Sequence, residues 1–381
     1  MDTARTTAVQ IASLDDGRRL QLGEGKRQQI FSALWLRENA PDSETLDPTT
    51  GQRLIEAAEL PLDLRIERLS INNRTLQLAF SDRHTTEMPI ADLLATPRAA
   101  HREQQRWSGD LQPPAATAFD AAVDDDRSLS TLLEQLSVYG FARVSGVPVE
   151  EDGMQPLLDR IGPIRRTNWG GIADVKSTAN AYDLTMTRRG LEPHTDNPYR
   201  EPIPGYIWLH CLRNAAAGGD STLVDGFRAA ELLRERYPEA YRCLTRTPVR
   251  FRYRDASSWL ENEGFLIEEN AHGQVWRVRY NNRTEHLPAL EPEVLERYYA
   301  ARQRFHALIT STELTLHLRL EPGELLIMDN YRLLHGRTAF ILEGGERHLR
   351  QGYVDRDTTL SRYHLLKQAQ STAAAVTGAI S

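Results

Sequence analysis

The chain has 381 residues, 40% of them hydrophobic and 26% charged, with a formal net charge of −7. That length accommodates two domains, and no apolar run approaches the roughly 20 residues that span a bilayer. The acidic balance offers no basic footprint for a nucleic-acid backbone, so the expected partner is a small ligand, with neither nucleic acid nor membrane involved.

The opening MDTARTTAVQIASLDDGRRL lacks the continuous apolar stretch of a secretory signal. Cys211 and Cys243 are the only cysteines, too few for a disulfide framework, so a cytoplasmic location is expected. Between Arg18 and about Ala95, the runs RRLQLGE, LRIERLSI, RTLQLAF and TTEMPI alternate with the period of half-exposed strands. Residues 1–107 are therefore expected to form a small β-rich N-terminal domain. Residues 108–127 gather Pro, Ala, Asp and Gly without hydrophobic period and read as a linker. Ser128 is then placed to cap a helix over LSTLLEQLSVYG that ends at Gly140, with FARVSGV following as a strand. Further on, PGYIWLHCL, STLVDGF, VWRVRY, GELLIMDN and LRQGYVDRD are strand-like, and AAELLRERYPEAYRCL and PEVLERYYAARQRFHALI have the pattern of amphipathic helices. Residues 128–366 thus read as a second, mainly β domain with flanking helices, and 367–381 as a frayed tail.

His194-Thr195-Asp196 places an imidazole and a carboxylate two residues apart, hence on one face of an extended segment. Such a tripeptide arises often by chance, with a solvated His beside an Asp as its ordinary meaning. His335, just after the strand-like GELLIMDN, could be brought in from a neighbouring strand. Two His and one carboxylate leave coordination positions open, which suits ferrous iron in an oxygenase, whereas zinc more often takes a closed tetrahedral site. Arg347 offers a planar fork for a dicarboxylate cosubstrate; the bland alternative is that Arg347 or Arg350 is a solvated strand arginine.

The segments HTDNPYREP (194–202), LHCL (209–212), GGDSTLVDGF (218–227), NYRLLHGR (330–337) and RHLRQGYVDRD (347–357), together with LWLRENAPDSETLDPTTGQRL near the N-terminus, resemble the γ-butyrobetaine dioxygenase family of taurine-dioxygenase-like oxygenases. The resemblance implies a double-stranded β-helix (jelly-roll) catalytic domain behind the small β-rich domain, frequently as a homodimer. It implies Fe(II) on His194, Asp196 and His335, with 2-oxoglutarate on Arg347, aided by the Ser221 hydroxyl and the backbone at Leu209. Dioxygen would be the second cosubstrate.

The sequence departs from the family pattern in two places. The cysteine cluster that holds a structural zinc is replaced by NAPDSETLD, leaving His84 without thiolate partners; no zinc is expected. The aromatic cage for a quaternary ammonium keeps Trp169 and Tyr353, but Ala173 and Met186 fall at aromatic positions, and Asp183 replaces a neutral amide, where its charge could face the cation. Tyr182 is adjacent. Asn197, Tyr199, Asn281, Asn282 and Arg283 are candidate donors for an anionic substrate end. The altered cage leans toward hydroxylation of 2-(trimethylammonio)ethylphosphonate beside phosphorus, with γ-butyrobetaine hydroxylation to carnitine as the alternative and trimethyllysine a further substrate to consider. A non-catalytic binding protein on the same fold and a zinc hydrolase are rivals, but neither accounts for Arg347 and GGDS alongside the triad.

Overall fold

The structure is a computed structural model and describes residues 9–24, 27–95, 104–176, 189–341 and 345–378. The chain divides into two compact units, Met1–His101 and Arg102–Ser381. No helix of the described residues is long and apolar enough to cross a membrane.

The N-terminal unit holds two three-stranded antiparallel sheets, Val9–Leu14, Arg19–Glu24 and Arg27–Ser32, then Ile66–Asn72, Thr75–Phe80 and Thr85–Pro89. Alternation puts Leu76, Leu78 and Phe80 on one face, where they pack with Leu20, Leu22, Leu36 and Met88. The second hairpin turns at Asn73-Arg74, both at positive φ (46° and 63°), matching the right-handed twist of its strands. His84 is buried, its Nε2 2.9 Å from Asp42 and its Nδ1 3.3 Å from Glu44. Arg37 donates to Asp82 (2.8 Å) and Thr45 (2.9 Å), tying the 39–54 loop by polar contacts to the turn between Thr75–Phe80 and Thr85–Pro89.

The second unit begins earlier than the expected 108–127 linker, and that segment is partly ordered. Trp107 is buried and donates to the carbonyl of Tyr139 (2.7 Å). Thr117–Ala118 pairs in parallel with Phe141–Ser145, and Phe119–Asp124 is a helix burying Phe119 and Ala122. Single aromatic anchors without periodic neighbours explain why composition suggested a connector. The following helix, Asp126–Tyr139, is capped by Asp125, whose carboxylate accepts from Ser128 N, so Ser128 is inside the helix; Gly140 closes it at φ 80°.

Two sheets follow. One has six strands in the order Thr117–Ala118, Phe141–Ser145, Leu325–Asp329, Tyr206–Asn214, Arg347–Val354 and Ile172–Lys176. The other has four, Leu191–His194, Leu333–Arg337, Ser221–Asp225 and Leu316–Leu318. Residues from both, including Ile207, Cys211, Leu349 and Leu326 from the first and Leu223, Leu316 and Leu333 from the second, form one shared core. The fold is the expected mainly β jelly roll with flanking helices. Alternate residues Tyr206 and Trp208 face outward under helices Asp126–Tyr139 and Gln155–Ile161, and Val224 and Leu334 face helices Gly226–Arg236 and Pro292–Ile309. Beneath the first of these helices, Arg332 and Asp225 form a fully buried ion pair of 2.7 Å.

Instead of fraying from Lys367, the chain remains helical over Arg356–Gly378. Alanine-rich sequence favours helix even without large apolar residues, and Leu366, Lys367 and Gln370 anchor it: Leu366 is buried, Lys367 pairs with Glu134 (2.9 Å), and Gln370 accepts from Ser130 (3.3 Å).

Candidate active site

His194 ends its strand opposite His335 in the register of Leu191–His194 with Leu333–Arg337. His335 shares the inward face of Leu333, and Asp196 follows His194 by two residues. His194 Nδ1 lies 2.8 Å from the carbonyl of Glu192; a carbonyl only accepts, so the proton is on Nδ1 and Nε2 presents a lone pair. That Nε2 is buried without a hydrogen-bond partner among the described residues, 3.5 Å from Asp196 Oδ1, while His335 Nε2 is 3.7 Å from the same oxygen. The three ligand atoms lie within 4.8 Å of one another. An orphaned imidazole lone pair beside a carboxylate and a second imidazole fits a divalent metal.

Burial acts to raise the Asp196 carboxyl, but the two imidazoles and the Tyr353 hydroxyl outweigh it and hold it well below the ordinary carboxylate range. Burial, then His194, pushes His335 down to about 4. Both shifts favour the deprotonated ligand forms near neutral pH. The backbone of Asp196 is clamped by Asn330, whose Oδ1 accepts from Asp196 N (2.7 Å) and whose Nδ2 donates to Asp196 O (3.0 Å). Thr195 is held by Tyr280 and by Asn281, which donates to its carbonyl (2.9 Å).

A cavity of about 360 Å³ opens beside the triad. In the Arg347–Val354 strand, residues 347, 349, 351 and 353 all line it, as the two-residue period requires. His348 and Arg350 instead bond to Asp174 and to the carbonyl of Glu151, so Arg347 is the arginine turned inward. It is buried, its Nε has no hydrogen-bond partner among the described residues, and burial lowers it to about 10. Ser221 and Leu209 line the same cavity. So does Arg337, also lowered to about 10 by burial and by Arg347. The sequence reading missed Arg337, although it stands two residues after His335 and thus on its face.

Of the substrate candidates, Trp169, Asn197, Tyr199, Arg283 and Tyr353 line the cavity. Asn282 does not: it is exposed and accepts from Arg302 (2.9 Å), and its neighbour Asn281 is the lining residue. The NNR run gave no period by which to choose between them. Tyr182, Asp183 and Met186 lie outside the described residues, whereas Ala173 lines the cavity. An unforeseen aromatic, Tyr253, stacks on Tyr199 (5.3 Å, 24°) and meets Trp169 edge-on (5.3 Å, 76°); its strand, Val249–Arg254, carries no motif that links it to the site. Tyr199 donates to Asn197 Oδ1 (2.6 Å), and Asn197 Nδ2 is a buried donor without a partner among the described residues. Tyr353 donates to Asp196 Oδ2 (2.8 Å) and so is tied to the metal-ligand carboxylate.

Fold and site define a jelly-roll oxygenase dependent on Fe(II) and 2-oxoglutarate. Residues 108–353 match the family described as taurine catabolism dioxygenase TauD, TfdA family, and residues 13–94 match the N-terminal domain described as γ-butyrobetaine hydroxylase-like. The chain belongs to this family of dioxygenases, in the branch of the γ-butyrobetaine dioxygenases. It is 36% identical to γ-butyrobetaine dioxygenase of Pseudomonas sp. (strain AK-1) over 352 residues, covering 90% of this chain and 92% of that one. It is 30% identical to the human γ-butyrobetaine dioxygenase, covering 94% and 97%, and 27% identical to human mitochondrial trimethyllysine dioxygenase, covering 88% and 82%.

Proposed function

We propose that this enzyme hydroxylates γ-butyrobetaine to carnitine, with iron held by His194, Asp196 and His335 and 2-oxoglutarate by Arg347, Ser221 and the chain at Leu209. The observation that carries the substrate is the 36% identity, over nine-tenths of both chains, to a γ-butyrobetaine dioxygenase. The reading therefore departs from the phosphonate toward which the altered cage leaned.

Iron and 2-oxoglutarate, when bound, supply the oxidising power for cleavage of the C–H bond. The protein binds and orients. A trimethylammonium group has no N–H to donate, so it is recognised by π faces and apolar contact, a role that Trp169, Tyr199 and Tyr253 fill in this reading. The carboxylate takes the buried Asn197 Nδ2 and the Arg283 guanidinium. Holding both ends fixes one C–H bond toward the metal.

The phosphonate remains a second reading because Ala173, rather than an aromatic residue, lines the cavity. Succinate formation by anaerobically Fe(II)-loaded protein, given 2-oxoglutarate, oxygen and either zwitterion at equal concentration, distinguishes them. Faster turnover of γ-butyrobetaine with carnitine as product supports the proposal, and preference for the phosphonate overturns it. Arg283→Ala is expected to raise KM for the zwitterion, leaving that for 2-oxoglutarate unchanged. A cytoplasmic homodimer completes the reading; it rests on the family resemblance and the scarcity of cysteine, and light scattering tests the dimer.

A further inference from the structure

Three hydrogen bonds of 2.8 Å close a ring beside the metal ligands: Tyr353 donates to Asp196 Oδ2, Gln351 Nε2 donates to the same oxygen, and Gln351 Nε2 also donates to the Tyr353 hydroxyl oxygen. Every proton is accounted for. An ionised carboxylate only accepts, so Gln351 must present its nitrogen, whose two N–H groups serve Asp196 and Tyr353, while the single tyrosine proton goes to Asp196. The other carboxylate oxygen, Oδ1, is the one that faces His194 and His335, at 3.5 and 3.7 Å.

We propose that Gln351 and Tyr353 are positioning residues that keep Asp196 monodentate, by engaging Oδ2 with two donors and leaving Oδ1 alone to the metal. The inference rests on the reading of His194, Asp196 and His335 as iron ligands. One atom from each leaves a six-coordinate ferrous ion three positions, the number needed for a bidentate cosubstrate and dioxygen. A second oxygen from Asp196 would take one of these. Two charge-assisted hydrogen bonds oppose that rotation, and Asn330 removes the other freedom by clamping the Asp196 backbone. The Tyr353 hydroxyl thereby serves the metal ligand while its ring lines the cavity. Gln351 is available because it lies two residues before Tyr353 on the inward face of its strand.

The test uses the full chain as Gln351→Met, Tyr353→Phe and the double variant, checked for folding by circular dichroism and thermal melting. Anaerobic titrations measure Fe(II) affinity and then 2-oxoglutarate affinity, the latter from the charge-transfer absorption of the Fe(II)–2-oxoglutarate complex. The double variant is expected to retain Fe(II) affinity within about threefold and to lose 2-oxoglutarate affinity by about tenfold or more, with each single variant between. Unchanged 2-oxoglutarate affinity in the folded double variant overturns the proposal. So does a parallel fall of both affinities with the melting temperature, which marks a structural role only. His194→Ala is the control for the underlying reading: if it binds Fe(II) as tightly as the parent, the triad assignment falls and the positioning role with it.

Discussion

Arg347 and Gly219 are fitted to each other: a Cβ at position 219 would stand 2.9 Å from Arg347 Nε, and Gly219 holds φ at +75°. The glycine in GGDS thus keeps open the space in which the buried guanidinium lies. Gly219→Ala is expected to displace Arg347 and raise KM for 2-oxoglutarate, with a stability cost of about 1 kcal/mol from the left-handed backbone. Steady-state kinetics with a thermal melt separates the two effects.

Arg347 faces the cavity, and its Nε has no hydrogen-bond partner among the described residues. Arg347→Leu is expected to weaken 2-oxoglutarate binding by about 2–5 kcal/mol, and Arg347→Lys to recover part of it, because an ammonium lacks the planar fork. Anaerobic titration of the Fe(II)-loaded protein measures both, and Arg350→Ala should leave the affinity unchanged.

The Asp225–Arg332 pair is fully buried, and Asp225 also caps helix Gly226–Arg236 by accepting from Phe227 N and Arg228 N. Arg332→Met leaves an unpaired carboxylate in the core and is expected to cost about 3–5 kcal/mol. Urea denaturation at neutral pH reads the loss directly.

His210 is fully buried with neither ring nitrogen hydrogen-bonded among the described residues, and burial, then Arg350, pushes it down from 6.5 to about 4. The unfolded chain therefore binds this proton at a higher pH than the folded one does. The stabilising contribution is full above pH 6.5 and is lost progressively as pH falls toward 4, by roughly 3 kcal/mol at most. Unfolding free energies measured across that window should fall less steeply for His210→Leu than for the parent.

In the N-terminal unit, His84 is engaged by Asp42 and Glu44. Chelator treatment is expected to remove activity by stripping iron yet leave the melting of this unit unchanged. Asp42→Ala is expected to lower its stability by about 1–3 kcal/mol, since a buried imidazole loses its partner. Differential scanning calorimetry with and without chelator checks both.

The sequence by itself determined the iron-ligand candidates and the face of each strand. HxD spacing and strand alternation are local properties of the backbone, so His194 with Asp196 could be read from a two-residue period, which also puts Arg347 and Arg350 on opposite faces; which of the two faces inward was decided by the tertiary structure. The same period would also have pointed to Arg337. Only the tertiary structure decided which residues from distant segments meet: Tyr253 beside Trp169 and Tyr199, Asn281 in place of Asn282 at the cavity, and Tyr353 bonded to Asp196. Phe119 became part of the core although its segment has the composition of a connector, and Trp107, expected in the first domain, packs in the second. The physical reason is that periodicity specifies the direction of a side chain relative to its own strand, whereas its partner is set by how sheets and helices pack across hundreds of residues, as where the Tyr353 hydroxyl comes within 2.8 Å of the Asp196 carboxylate.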